Sequence, residues 1–394
     1  MEGLRIAMFS DSALPVLNGV SISVDALVGE LRNQGHSVHL FAPRCPGHRD
    51  SDPNTFRFRA MATPFAPKYP IAYPPFYRKL LQFRRNEYDL IHTHTPFVMG
   101  LIGLRWAESH ELPIVSTYHT LYDRYAHYLG FAPKRYVRFR IAKHTNFYYN
   151  LVDHVVTPSP AAYKWIRRHS VTTPISVIPT GIRSNLFLNR TELRQELGVA
   201  PDQKIMLYVG RLAKEKNLPT LIDMAAKVLR ENPSARLWMV GDGPYRLECT
   251  NLVRRAGIGD RVRFVGFVPR QEVDRFYAAA DLFVFASITE TQGLVVQEAM
   301  SHGLPAVAVV GGGACASIRD GMNGFVVKND PAAFALAVMQ AIEDDELYLK
   351  LSEGAQKSVR HLGVSKMAKD MLEVYEKVLA RRSTEVKAER FIAL

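Results

Sequence analysis

The chain of 394 residues contains no run of about 18 uninterrupted apolar residues, so no membrane-spanning helix is expected. Its opening, MEGLRIAMFSD, has neither a basic stretch nor the long apolar centre of a secretory leader, and a cytoplasmic location is the expectation. Cysteine is scarce. Cys45, Cys249 and Cys315 are odd in number and widely spaced, which argues against a disulfide framework or a zinc site and suits a reducing compartment. Acidic residues are outnumbered: net charge is +12, of which +9 falls in residues 1–180 and +3 in residues 181–394. Such a bias suits an anionic partner, whether a lipid surface, a phosphorylated ligand or nucleic acid, or else a solvated basic face. The chain carries no recognised nucleic-acid motif, and none is expected as a partner. With 47% hydrophobic and 22% charged residues, a wholly disordered chain is excluded.

Apolar runs of strand length alternate with helix-length amphipathic segments almost from end to end, the pattern of βα units around a parallel sheet. Strands are expected at residues 4–10, 37–43, 89–95, 113–119, 154–159 and 175–180, forming one doubly wound sheet. After a polar, turn-rich link near GIRSNLFLNRTEL the pattern restarts, with strands at 204–210, 235–241, 261–267, 281–287, 304–310 and 324–328. The expectation is an α/β protein of two Rossmann-like doubly wound parallel-sheet domains facing a cleft, residues 1–182 and 183–375. Three helical segments close the chain, and the last, about 376–394, is expected to pack back on the first domain. Ligands of open α/β sheets bind outside the carboxyl ends of strands, which directs attention to the residues following each run.

FSDSALPVLNGVSISVDALVGEL leaves the first strand through a Pro and Asn-Gly loop and enters a helix near Gly19. A glycine there admits an anion to backbone N–H groups, although a tight βα turn needs it for conformational reasons alone. The segment is not GxGxxG, which argues against a nicotinamide-dependent dehydrogenase. In LYVGRLAKEKNLPTLI, Arg211 comes just past a strand and Lys216 precedes a helix. A planar fork and a point charge suit a diphosphate; the plainer reading is two exposed loop cations.

TETQGLVVQEAM places Glu290 on a loop and Glu298 on the second turn of a helix starting near Gly293. The free N–H groups of Gly293, Leu294 and Val295 then favour a phosphate. If every intervening residue were helical, the two carboxylates would stand about 12 Å apart along the axis, beyond the roughly 5–9.5 Å of paired glycosidase carboxylates. A carboxylate also accepts from two neighbouring sugar hydroxyls, so the other reading is two grips on the two sugars of a nucleotide-sugar.

His92 and His94 alternate on one strand and His119 ends another. With Asp123 or His127 they offer a metal site that the spacing does not require. The DSD at residues 50–52 lies in a loop rich in Pro, Gly and Asp and reads as a surface turn. Segments 73–85 and 133–150 mix Arg and Lys with Phe, Tyr and Leu. That pattern belongs to helices lying on an anionic leaflet, or to helices with an apolar core face and a basic solvent face.

An Asn-Gly loop after the first strand, a strand-end His, GRL with a Lys five residues after its Arg, and E-x7-E with Gly-Leu after the first Glu resemble the family-4 retaining glycosyltransferases of GT-B fold over nearly the whole chain. DLIHTHTPFVMG, STYHTLYDRYAHYLG and TETQGL are similar to the corresponding segments of diacylglycerol glucosyltransferases. The resemblance implies transfer of a hexose, glucose first, from a UDP-sugar to the hydroxyl of a membrane lipid such as 1,2-diacylglycerol. It further implies retention of configuration, no metal and no cofactor, and peripheral association with the inner face of an anionic membrane. Arg211 and Lys216 are then expected to stabilise the departing diphosphate, Glu290 to hold hydroxyls of the transferred sugar, and Glu298 to hold the ribose. Gly293, Leu294 and Val295 are expected to meet phosphate or sugar through N–H groups, His119 to contact the transferred sugar, and Gly19 to line the phosphate side. The family usually reads E-x-F-G; here Gln292 replaces Phe, changing one wall of the sugar site. The alternatives are the same reaction on a soluble or cell-wall glycan or a phosphoinositol, with a GDP-sugar as a further donor option; a nucleotide-sugar epimerase; a histidine-bound metallohydrolase; and a non-catalytic membrane- or nucleic-acid-binding module.

Overall fold

The computed structural model describes residues 3–63, 66–73, 83, 87–122, 133–183 and 188–392. They form two units, Met1–Gly181 with Val364–Leu394, and Ile182–Gly363.

In the first unit, β1 (Arg5–Phe9), β2 (Ser37–Pro43), β3 (Thr55–Phe58), β6 (Leu90–Thr93), β7 (Ile114–Thr117), β8 (His154–Thr157) and β9 (Ile175–Val177) make one sheet, ordered β3-β2-β1-β6-β7-β8-β9. Every pairing in it is parallel. Period-two alternation in RIAMF sends Ile6 and Met8 to one face and Ala7 and Phe9 to the other. The Phe9 face is aromatic: Phe9 stacks on Phe41 at 4.7 Å between centroids, and Phe83 lies 4.5 Å from Trp106. The Ile6 face is covered by the helix Gly19–Asn33 and the closing helix Val364–Ile392. Met367, Met371, Val374, Tyr375 and Val378 recur along that closing helix at three- and four-residue spacing and are all buried. Each such side chain contributes about 1.5–3 kcal/mol on burial. The stripe begins early, so the chain returns to this unit at Val364, ahead of the expected residue 376.

The sheet has seven strands where six were expected, and a separate antiparallel hairpin joins β4 (Ala60–Thr63) to β5 (Ala66–Ala72). TFRF is a short edge strand with little apolar signal, and APKYPIA carries two prolines, which argue against a strand.

In the second unit, β10 (Lys204–Val209), β11 (Ala235–Val240), β12 (Val262–Gly266), β13 (Leu282–Phe285), β14 (Ala306–Val309) and β15 (Gly324–Val327) form a parallel sheet ordered β12-β11-β10-β13-β14-β15. Strand order therefore reverses between β1 and β6 in one unit and between β10 and β13 in the other. Loops leaving the carboxyl ends of such a strand pair diverge and leave a crevice. The loops that hold Asp11, His94, Lys216 and Glu290 are those four.

Candidate active site

In the second unit, Leu212 ties the β10 loop down by donating to the Asp242 carbonyl and accepting from the Tyr245 N–H, both at 3.0 Å. One turn of 3-10 helix, Lys214–Lys216, follows. Lys216 Nζ donates to Glu290 Oε1, which also accepts from Ser287 Oγ at 3.0 Å. The two side chains of this pair are 17% and 18% exposed, so the carboxylate is oriented in a partly dehydrated place. Thr289 Oγ1 donates to the Glu215 carbonyl at 3.3 Å and fastens the β13 loop to the same turn. Arg211 is exposed beside them.

The helix Leu294–Ser301 begins where expected. Its N-cap, Gly293, has φ 80°, and no side chain caps it; the Val296 N–H donates to the Gly293 carbonyl at 2.9 Å, which leaves the N–H groups of Leu294 and Val295 to meet a ligand. A Cβ at Gly293 would stand 2.6 Å from Ala314 Cα, and one at Gly313 would stand 1.8 Å from the Thr291 carbonyl oxygen. Only glycine lets these loops close on one another.

Glu298 is 2% exposed. Its Oε1 accepts from Arg270 and its Oε2 accepts from Tyr277 Oη at 3.0 Å. Burial works against the Arg270 charge, but the bond to Glu298 overrides it and raises the guanidinium pKa. Glu290 and Glu298 thus each have a cation of their own, Lys216 and Arg270. Sequence reasoning missed Arg270 and Tyr277; the available signal was the helix start PRQEVDRFY, with Arg at the first helical position and Tyr two turns on. Gln292 is also buried: its Nε2 donates to Gln297 Oε1 at 2.7 Å, and Gln297 Nε2 donates to Ser317 Oγ at 2.7 Å.

In the first unit, the helix after β1 starts at Gly19, but Asn18 Oδ1 already accepts from the Val20 and Ser21 N–H groups at 2.9 and 3.0 Å. The Asn of the Asn-Gly pair is therefore a helix cap, which reduces the N–H groups available to an anion there. Asp11, also missed from the sequence, accepts from Thr95 Oγ1 and from the Met99 N–H at 3.0 Å. It serves the start of the helix Val98–Ser109, whose own N-cap residue Phe97 offers no side-chain acceptor. Burial pushes the Asp11 pKa up against those bonds.

The three histidines do come together: the His92 ring packs 4.2 Å from that of His94 between centroids, and His94 is hydrogen-bonded to His119. His92 Nδ1 lies 2.7 Å from Tyr375 Oη and its Nε2 lies 2.8 Å from Thr117 Oγ1. His94 Nδ1 lies 3.0 Å from His119 Nε2. Burial lowers the pKa of His92 and of His119 to about 3, and that of His94 well below its usual value. All three are neutral at physiological pH. Both ring nitrogens of His92 are engaged by hydroxyls, and among the described residues no group of three or more His, Cys, Asp or Glu is placed to hold a metal ion. Asp123 and His127 lie outside the described residues. Asp50 pairs with Arg57, and Asp52 with Arg32 and Thr55, so the DSD is a turn held by arginines.

The helix Lys134–Tyr149 turns Val137, Thr145, Tyr148 and Tyr149 inward and leaves Tyr136, Phe139 and Phe147 exposed among Arg135, Arg138, Arg140 and Lys143. Phe97 and Leu101 are exposed too, and Phe97 stacks 6.0 Å from His144 of that helix. Most of segment 73–85 lies outside the described residues. Among the described residues no helix is long and apolar enough to cross a membrane.

Residues 17–186 match Glycosyltransferase Family 4, and residues 189–358 match Glycosyl transferases group 1. The alpha-monoglucosyldiacylglycerol synthase of Streptococcus pneumoniae is 33% identical over 77% of this chain and 71% of its own length; that of Acholeplasma laidlawii is 29% identical over 94% and 96%. A D-inositol 3-phosphate glycosyltransferase of Geodermatophilus obscurus is 30% identical over 73% of this chain and 65% of its own. Among solved structures, sucrose-phosphate synthase from Thermosynechococcus elongatus superposes with a TM-score of 0.80 at 25% identity, covering 96% of this chain and all of that one. HepE of Anabaena in complex with UDP-glucose gives 0.74 at 22% identity, covering 95% and 100%. Two parallel sheets with strand order reversing beside charged loops, and relatives matching nearly end to end, have one explanation: the chain belongs to the glycosyltransferases of GT-B fold, with a family 4 domain followed by a group 1 domain.

Proposed function

We propose that the enzyme moves a hexose, glucose first, from a UDP-sugar to the hydroxyl of a membrane lipid such as 1,2-diacylglycerol, with retention of configuration and without a metal. The observation that carries this reading is the 33% identity to a synthase named for glucosyl-diacylglycerol, over most of both chains. The exposed Tyr136, Phe139 and Phe147 among arginines support it, since aromatics at headgroup level and cations facing anionic lipid hold a helix on a leaflet.

In this reading Lys216 and Arg211 stabilise the diphosphate as it leaves, through fixed charge placed before the bond breaks. Glu290, held by Lys216 and Ser287, keeps its second oxygen for hydroxyls of the transferred sugar. Glu298 serves the ribose from a carboxylate oriented by Arg270 and Tyr277. The uncapped N–H groups of Leu294 and Val295 receive phosphate or sugar oxygens, and His119 contacts the transferred sugar.

Labelled UDP-glucose offered with diacylglycerol in anionic mixed micelles should yield a glucolipid, with chelator leaving the rate unchanged. A second reading, a soluble acceptor and a GDP-sugar, has support from the inositol phosphate relative and from a GDP-mannose-dependent alpha-mannosyltransferase of Mycobacterium tuberculosis at 28% identity. Transfer to inositol phosphates or glycans but not to lipid would establish it in place of the first.

A further inference from the structure

We infer that His94 is a positioning residue that fixes the tautomer of His119, so that His119 presents Nδ1–H, a hydrogen-bond donor, to its ligand. His94 follows β6 and is 1% exposed, whereas His119 follows β7 and is only half-buried. Their rings are nearly parallel, 25° apart, and a single hydrogen bond joins His94 Nδ1 to His119 Nε2 at 3.0 Å. Both rings are neutral, so each carries one proton.

Two arrangements satisfy that bond. In the first, His94 Nδ1–H donates to His119 Nε2; His94 Nε2 is then a bare lone pair, and the His119 proton sits on Nδ1. In the second, His119 Nε2–H donates to His94 Nδ1; His94 then carries its proton on Nε2, and His119 Nδ1 is an acceptor. The surroundings of His94 Nε2 decide between them. That atom is buried and has no hydrogen-bond partner among the described residues. The adjoining His92 ring, 4.2 Å away between centroids, cannot supply one, because Tyr375 and Thr117 engage both its nitrogens. A buried N–H without an acceptor is the rarer defect in folded proteins, and the first arrangement avoids it. The half-buried His119 Nδ1–H meets water until a ligand oxygen replaces it.

The consequence for chemistry rests on the proposed contact between His119 and the transferred sugar. A fixed donor there selects a hydroxyl oxygen that accepts, and no reorientation of the ring is needed when the sugar arrives. The same carbon bearing a group that can only donate is discriminated against.

The test has two arms. In protein labelled with 15N-histidine, two-bond proton–nitrogen correlation distinguishes the tautomers; His94 and His119 should both be protonated at Nδ1, and a proton on His119 Nε2 overturns the inference. In the second arm, His94→Asn keeps an N–H near the Nδ1 position and His94→Leu removes it. His94→Leu should lower kcat/KM for the sugar donor about tenfold, as expected for one hydrogen bond, leave affinity for UDP alone unchanged, and free His119 to populate both tautomers. His94→Asn should preserve the Nδ1–H tautomer and most of the rate. Equal losses in the two variants, with the tautomer unchanged, assign His94 a packing role only and overturn the inference. His119→Ala separates this from the functional reading: unchanged transfer in that variant removes the sugar contact while leaving the tautomer result to stand on the spectrum.

Discussion

Replacing Arg270 by Met takes the guanidinium from Glu298 Oε1 and leaves a 2%-exposed carboxylate with Tyr277 as its remaining side-chain donor among the described residues. Breaking a buried pair by removing one partner costs about 3–5 kcal/mol, because the other charge stays behind unpaired. The Arg270 side chain is 34% exposed, so water reaches that side of the pair, and the loss should be nearer ~2–3 kcal/mol. Arg270→Met with Glu298→Gln removes the charge along with its partner. The amide retains an acceptor for Tyr277, so the double variant should stand within about 1 kcal/mol of the parent. Urea titration read by hydrogen exchange in β10 to β15 measures this for the second unit. Donor titration should show a different pattern, with affinity for a UDP-sugar reduced in the single variant and not regained in the double, because under the proposed function Glu298 is the carboxylate that holds the ribose. A double variant at least as unstable as the single one refutes the argument that an unpaired buried charge is the source of the loss. Recovery of donor affinity together with stability refutes the ribose contact.

Three more outcomes are expected. Because the folded-state pKa values of His92, His94 and His119 are lowered, the unfolded chain takes up protons below pH 6.5 that the native rings refuse. The first unit should keep its stability above pH 6.5 and lose up to about 1.4 kcal/mol per ring per pH unit on acidification towards 3; hydrogen exchange in β6 and β7 that is unchanged between pH 7 and 5, after correction for intrinsic rates, contradicts this. Asn18→Ala should destabilise the helix Gly19–Asn33 by about 1 kcal/mol, seen as faster exchange of its first turn, and Asn18→Gly should cost less because glycine itself is well tolerated at an N-cap. Neutralising Arg135, Arg138 and Arg140 together should weaken binding to anionic vesicles by about 3 kcal/mol, roughly a hundredfold, and binding unaffected by the triple change removes that helix from the membrane surface.

Both parallel sheets were legible because their strands are short apolar runs covered on both faces, and the helices between them repeat at helical spacing. The strand Thr55–Phe58 and the hairpin after it were not, because pairing with a neighbour, and not local pattern, makes them strands. The same division runs through the site. Glycine and charge just past a strand marked Lys216, Glu290 and the helix start at Gly293, since these features follow from chain order. The partners of Glu298 lie on the preceding helix, Arg270 and Tyr277, and although the helix start PRQEVDRFY shows both residues, nothing local pairs them with a carboxylate 28 or 21 residues on. Histidine spacing suggested a metal site for a related reason: alternation places His92 and His94 on one face of a strand, but only the fold shows that Tyr375, from the far end of the chain, occupies His92 Nδ1.

Gln292 shows why a departure from a family pattern has to be read with its neighbours. As a single letter it replaces the Phe of the family pattern with a polar group. In the fold its amide donates to Gln297, and Gln297 in turn donates to Ser317, so the change is built into a chain of buried polar groups. Restoring Phe at 292 alone would leave Gln297 Oε1 without its donor, and an unmet buried acceptor costs about 1–3 kcal/mol. A compensating apolar residue at 297 would remove the acceptor as well as the donor. If position 292 lines the sugar site, as the family pattern implies, an exchange there has to be made together with position 297, because the two amides are hydrogen-bonded.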